Sequence, residues 1–301
     1  MKTMINKSNV SRSDRIFEIV VYIIMIAFLI VILYPLIFVV SSSFSSGTAV
    51  TSGRVILWPV DFSLDGYQVV FNTKSVGRGF VNSVIYTVGG TIISLFLTIL
   101  VAYPLSKRSL QFKRFYMALF MIPMFFTGGL VPTYLIMSSL HLTNTRWAVI
   151  LCGALSIYNM LVMRTFFQNS IPYELYEAAK IDGISDIGYL VKIVLPLSKA
   201  IIAVISLYYA VAYWNSYFNA MIYIRDLDKQ PLQLLLKDIM SAAKISANNM
   251  DGDMAAMAQR MSIVDSMKYA MVVVTTAPIL VSYPIVQKYF KKGVMLGSVK
   301  G

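Results

Sequence analysis

Residues 16–40 read IFEIVVYIIMIAFLIVILYPLIFVV, a run whose only charge is Glu18 near its start and whose only proline is Pro35 near its end. A bilayer core is crossed by about 20 mostly apolar helical residues. A helix on a soluble domain keeps one polar face, and this run has none. Five further apolar runs follow, at 80–103, 115–138, 147–167, 195–224 and 269–290. Lipid offers no hydrogen bonds, so each run must satisfy its own backbone as a helix. The expected fold class is an all-α integral membrane protein with six transmembrane helices. Composition agrees, since 13% of residues are charged where a soluble domain has about 25%. Pro123, Gly128, Gly129 and Pro132 interrupt the third run and predict a kinked helix inside a bundle. A cleaved signal peptide fits the first run poorly despite Lys7, Arg12 and Arg15 ahead of it, because its apolar stretch is too long and more spans follow.

Lysine and arginine choose the orientation. Sixteen of the 26 lie in residues 1–15, between the second and third runs, from Arg164 to Lys199 around the connection of the fourth and fifth, and from Lys288 to Lys300. The positive-inside rule puts both termini, 1–15 and 291–301, in the cytoplasm, and residues 41–79 and 225–268 outside. The net charge of +12 therefore reads as membrane topology. A nucleic-acid partner is not expected, because no basic–aromatic stripe exists outside these loops. One cysteine and one histidine exclude an internal disulfide and a histidine metal cluster, and Cys152 and His141 are expected to do no chemistry. No catalytic or metal site is expected. A secondary transporter would carry ionisable residues mid-span, and the runs are nearly free of them: Glu18, Arg164, Lys199 and Lys288 each lie close to an end.

Between the fourth and fifth runs lies a polar stretch, 172–196, on the cytoplasmic side. Pro172 favours a helix start and residues 174–180 are good helix formers. Gly183 can turn the chain in a left-handed conformation into a second helix over 185–193. Pro196 then opens the fifth run. The product is a compact helix–turn–helix knob, small enough at its tip to enter a partner's groove.

Glu177-Ala178-Ala179, then Asp182-Gly183, then Ile193-Val194-Leu195-Pro196 resembles, without a gap, the EAA motif of ABC importer permeases. The likeness extends along the chain: Asp14, Tyr34-Pro35, Ser41-Ser42-Ser43-Phe44, Trp214-Asn215 and Gln287-Lys288-Tyr289-Phe290-Lys291-Lys292-Gly293 are similar to the maltose-type, MalG-like carbohydrate-uptake permeases. Residues 214–220, followed by Pro231-Leu232-Gln233, most resemble the LplC/YtcP-type oligosaccharide group. The resemblance implies a type I ABC importer permease fold over 80–290, with a cytoplasmic coupling-helix loop. It implies a second homologous permease, two cytoplasmic ATPase subunits, an extracellular sugar-binding lipoprotein and an oligosaccharide cargo in a bacterial plasma membrane. ATP and magnesium would be held by the ATPases, and this chain, with no Gly-Lys dipeptide and hence no P-loop, would carry no cofactor. The same resemblance assigns ATPase coupling to Glu177, Ala178, Ala179, Asp182, Gly183, Ile193, Leu195 and Pro196, and brings the 293–301 tail towards the ATPases. An ABC permease for amino acids, peptides or ions shares the loop and stays open as an alternative.

Sugars are held by aromatic faces and planar polar groups. Tyr208, Tyr209, Tyr213, Trp214, Asn215, Tyr217, Phe218 and Asn219 offer both along the fifth run, with Phe125 in the third as a further lining candidate. An interfacial aromatic belt accounts for the same tyrosines and tryptophan. Asn215 and Asn219, spaced i, i+4, would share one helix face, where amides are unwelcome in lipid. Beyond the fifth run, 231–243 predicts an amphipathic helix and 248–253 (NNMDGD) a turn that lacks the acids of a calcium loop. Together with 41–79 it is the expected seat of the binding protein.

Overall fold

The computed structural model describes residues 12–248, 262–281 and 284. Along the chain run α1 (Arg12–Ser43), α2 (Gly47–Thr51), α3 (Asp65–Asn72), α4 (Lys74–Ser106), α5 (Lys113–Phe125), α6 (Leu130–Ser139), α7 (Arg146–Leu151), α8 (Ile157–Ser170), α9 (Tyr173–Ile181), α10 (Asp186–Tyr189), α11 (Leu195–Leu197), α12 (Lys199–Trp214), α13 (Phe218–Tyr223) and α14 (Leu232–Asn248); α15 (Ser262–Val281) follows. The described residues hold no strand, only one isolated bridge between Ser45 and Phe62. The tail motif at 287–293, the glycine-bearing end and the NNMDGD tip beyond Asn248 lie outside the described residues.

The chain divides into two compact units, one of residues 1–72 with 242–273 and one of 73–241 with 274–301. In the first, α1 leaves almost every side chain exposed from Ile16 to Leu36, as a lipid-facing helix must. Residues 41–79 are not a plain loop. Ser41 donates to the Leu57 carbonyl at 2.6 Å, Ser45 donates to Ser41 at 2.7 Å, and Ser43 meets the Tyr67 hydroxyl at 2.9 Å. These bonds fold the segment into α2 and α3, and the second span begins at Lys74, ahead of the expected residue 80.

In the second unit α4 is the axis, packing against α12 and α8. Small residues let it: a Cβ on Gly90 would stand 2.6 Å from the Tyr213 ring. Three expected spans differ in shape. The third is broken rather than kinked, since α5 and α6 meet at 112° across Gly128–Gly129. The fourth is two helices, α7 and α8, because the chain leaves helical geometry over 152–156, with Gly153 at φ +82°. The fifth is not continuous over 195–224: it bends by 83° before α12, ends at Trp214 and restarts at Phe218. Among the described residues three helices, α1, α4 and α15, are long and apolar enough to cross a membrane, and up to five spans result if each bent pair counts as one.

Candidate transport cleft and coupling loop

The loop after α8 folds as its residues predict. Pro172 caps α9, which runs to Ile181, and Gly183 turns the chain at φ +71°. Ser185 then caps α10 by accepting from the Gly188 N–H at 3.2 Å. The second helix is shorter than 185–193, because a π-helical turn over Leu190–Val194 replaces its second half. Glu177, Ala178, Asp182, Gly183 and Pro196 face outwards, while Ile193 and Leu195 are partly buried. Ala179 differs from its expected partner-facing position: at 3% exposure it packs inside the chain, where only a small side chain lets α9 lie close. Ile181 and Ile187 project from the tip at 87% and 75% exposure.

The root of this loop grips α4. Lys107 pairs with Asp186 at 2.8 Å and lies 4.6 Å over the Tyr103 ring. The Tyr103 hydroxyl donates to the Asp186 carbonyl at 2.8 Å. Chiefly through the hydrogen bond from Lys107, the Asp186 carboxyl is held below its ordinary value against a weaker opposing pull from burial. A depressed carboxylate pKa stabilises the fold above its unfolded value and loses that contribution as pH falls through the folded one. The ion pair is therefore complete at neutral pH and is lost only in acid.

Deeper along α4, hydroxyls join the helices in series. Tyr209 donates to Thr98 at 2.7 Å and accepts from the Ser156 N–H at 3.1 Å. Tyr213 donates to the Ile150 carbonyl at 2.7 Å, with Ser94 at 2.9 Å from its oxygen. Beside these tyrosines opens a cleft of about 310 Å³, lined by Ser156, Asn159, Tyr208, Ser216 and Asn219 among others, none of them charged. Asn159 is 6% exposed, and its side-chain amide meets no hydrogen-bonding partner among the described residues.

Of the path candidates, the structure brings Tyr208, Tyr209, Tyr213 and Asn219 into this cleft. Trp214 turns elsewhere: it is 6% exposed, donates to the Thr275 carbonyl at 2.8 Å and lines a separate apolar groove with Thr87 and Thr91. Asn215 ends α12, donating back to Val211 at 3.0 Å and accepting from Gln233 at 3.3 Å. With the helix broken there, Asn215 and Asn219 do not share a helical face. Tyr217 packs edge-on to Phe218, and Phe125 is 70% exposed at the end of α5. Sequence reasoning passed over Ser156, Asn159 and Ser216. The signal for Asn159 was present: an amide in an apolar run needs a polar neighbour.

Residues 90–296 match the family of binding-protein-dependent transport system inner membrane components. The chain belongs to that family. The permease is 43% identical over 289 residues to the polygalacturonan/rhamnogalacturonan transport system permease protein YtcP of Bacillus subtilis (strain 168), covering 96% of this chain and 99% of that protein. It is 40% identical over 267 residues to protein LplC of the same organism, covering 89% of each. A crystal structure of a bacterial ABC transporter involved in the import of the acidic polysaccharide alginate superposes with a TM-score of 0.84 at 36% identity, covering 94% of the permease and 100% of that chain. The expected membership and type I permease fold both hold. The permease is a multi-pass component of a bacterial plasma membrane, in a class of system that includes ATPase and binding-protein partners.

Proposed function

We propose that this permease moves oligosaccharides through the cleft at Asn159, in alternating access driven by ATP hydrolysis on separate subunits. It performs no chemistry itself. It pairs with a second, homologous permease and receives sugar from an extracellular binding protein. It crosses the membrane six times, with residues 1–15 and 291–301 in the cytoplasm, 16–40 as the first span, 41–79 outside and 80–290 as the transport domain. Loop 172–196 faces the cytoplasm and docks on the ATPases. Glu177, Ala178, Asp182 and Gly183 form the docking tip, Ala179, Ile193 and Leu195 hold it from beneath, and Pro196 opens the following span.

The cleft carries this reading. Its lining of amides, hydroxyls and tyrosine faces is the set that recognises sugar, and the Asn159 amide, on the cleft wall with no protein partner among the described residues, is available to a ligand hydroxyl. The uncharged lining also admits the acidic sugars that relatives carry by name. The named substrates of those relatives favour sugar over amino acids, peptides or ions. The experiment is uptake into proteoliposomes holding the full complex, with binding protein supplied outside. ATP-dependent entry of oligogalacturonate or alginate oligosaccharide is expected. Uptake driven by an ion gradient without ATP, or entry of amino acids in preference to any oligosaccharide, overturns the proposal.

A further inference from the structure

Lys107 closes α4 and Asp186 opens α10, and around their ion pair three elements converge. Lys107 also lies 5.5 Å over the ring of Tyr176 on α9. Tyr176 approaches Asp186 at 3.4 Å through its hydroxyl and meets Tyr189 edge-on at 5.3 Å between centroids. The side chain of Lys107 is 17% exposed, and the ion pair, ring contacts and Tyr103 hydroxyl bond all act at one point. Loop 172–196 is thus held to α4 by directional bonds as well as by apolar packing.

The other end of the connection is in the same helix. Thr98 lies nine residues, about 14 Å of helix, before Lys107, and it bonds Tyr209 of the cleft wall. Ser94, one turn further, bonds Tyr213 of the same wall. A helix is stiff over such a length, so a pull on Lys107 displaces the hydroxyls that hold the tyrosines.

We propose that Lys107, clamped by Asp186, Tyr103 and Tyr176, is the positioning residue that transmits movement of the coupling loop through α4 to the cleft. The proposal rests on the reading that loop 172–196 docks the ATPases. Lys107 itself touches neither ATPase nor sugar: it sits at the root of the knob, away from the exposed tip of Glu177, Ile181 and Gly183. Its loss should therefore spare assembly while disconnecting hydrolysis from the cleft.

The test needs no knowledge of the sugar, because Cys152, the single cysteine of this chain, lines the cleft. In the purified complex, the rate at which Cys152 reacts with a small thiol reagent is read by peptide mass spectrometry, with and without ATP and vanadate. ATP hydrolysis and subunit content are measured on the same samples. The native chain and Lys107→Arg should change rate by about fivefold or more, within the usual range of coupling between sites. Lys107→Met should change less than about twofold while its ATPase subunits remain bound and hydrolyse ATP. The exchange Lys107→Glu with Asp186→Lys should recover more of the response than either single change, which a general loss of stability does not explain.

A native-size response in Lys107→Met overturns the proposal. So does a Lys107→Met complex that loses its ATPases, which makes Lys107 part of the dock, and so does a native complex whose Cys152 does not respond. A Glu177→Lys chain that keeps its ATPases and its response instead overturns the docking reading, and leaves the Lys107→Met comparison to judge the clamp separately.

Discussion

A permease carrying Glu177→Lys is expected to insert at normal levels and to lose sugar-stimulated ATP hydrolysis by a hundredfold or more. Glu177 is exposed midway along α9, so reversing its charge leaves this chain's own packing alone and acts on whatever receives the knob. Like charges brought together across an interface cost several kcal/mol, and each 1.4 kcal/mol is about a factor of ten. Gly183→Asp should be milder, at about tenfold. A Cβ there meets nothing within 4 Å, so the penalty comes from the φ of +71°, which a side chain adopts at about 1–2 kcal/mol, and from the added charge. Hydrolysis by the purified complex, with and without liganded binding protein, checks both. Full stimulation in both variants removes the loop from the transmission path.

The second large effect is at Asn159. Replacement by leucine should lower initial uptake of oligosaccharide by about ten- to a hundredfold, the cost of about 1–3 kcal/mol for leaving a bound sugar hydroxyl unpaired, with basal ATP hydrolysis unchanged. Asn215→Ala is the contrasting case, since that amide is exposed and already paired with Val211 and Gln233, and uptake should remain near normal. Equal loss in both variants, or no loss at Asn159→Leu, moves the pathway away from this cleft.

Lipid makes the apolar runs legible. A chain that crosses hydrocarbon must declare itself in long uncharged stretches, and α1 and α4 follow almost directly from residues 16–40 and 80–103. Gly183 was legible too, because a tight turn between two helices calls for a residue that accepts positive φ. The breaks were not. Asn215 ends α12 through a local backbone geometry that an unbroken apolar pattern hides, and the bend ahead of α12 combines a π turn, Pro196 and Ser198, of which only the proline shows in a sequence.

Pairings distant in sequence were hidden for a different reason. Lys107 reads equally well as one more positive residue marking the cytoplasmic side, and Asp186 as solvated loop; only folding brings them to 2.8 Å. Trp214 misled because tryptophan near a membrane surface serves belts, sugar sites and helix contacts alike. Its indole bond to Thr275 assigns it to the last of these.

All of this depends on loop 172–196 lying in the cytoplasm, and one labelling measurement decides that. A cysteine at position 183, in a Cys152→Ala background, sits at an exposed turn with open space around it. In intact cells it should resist an impermeant thiol reagent, then react readily once the membrane is made permeable. Rapid labelling in intact cells would contradict the orientation, and with it the docking of the ATPases and the path from Lys107 to the cleft.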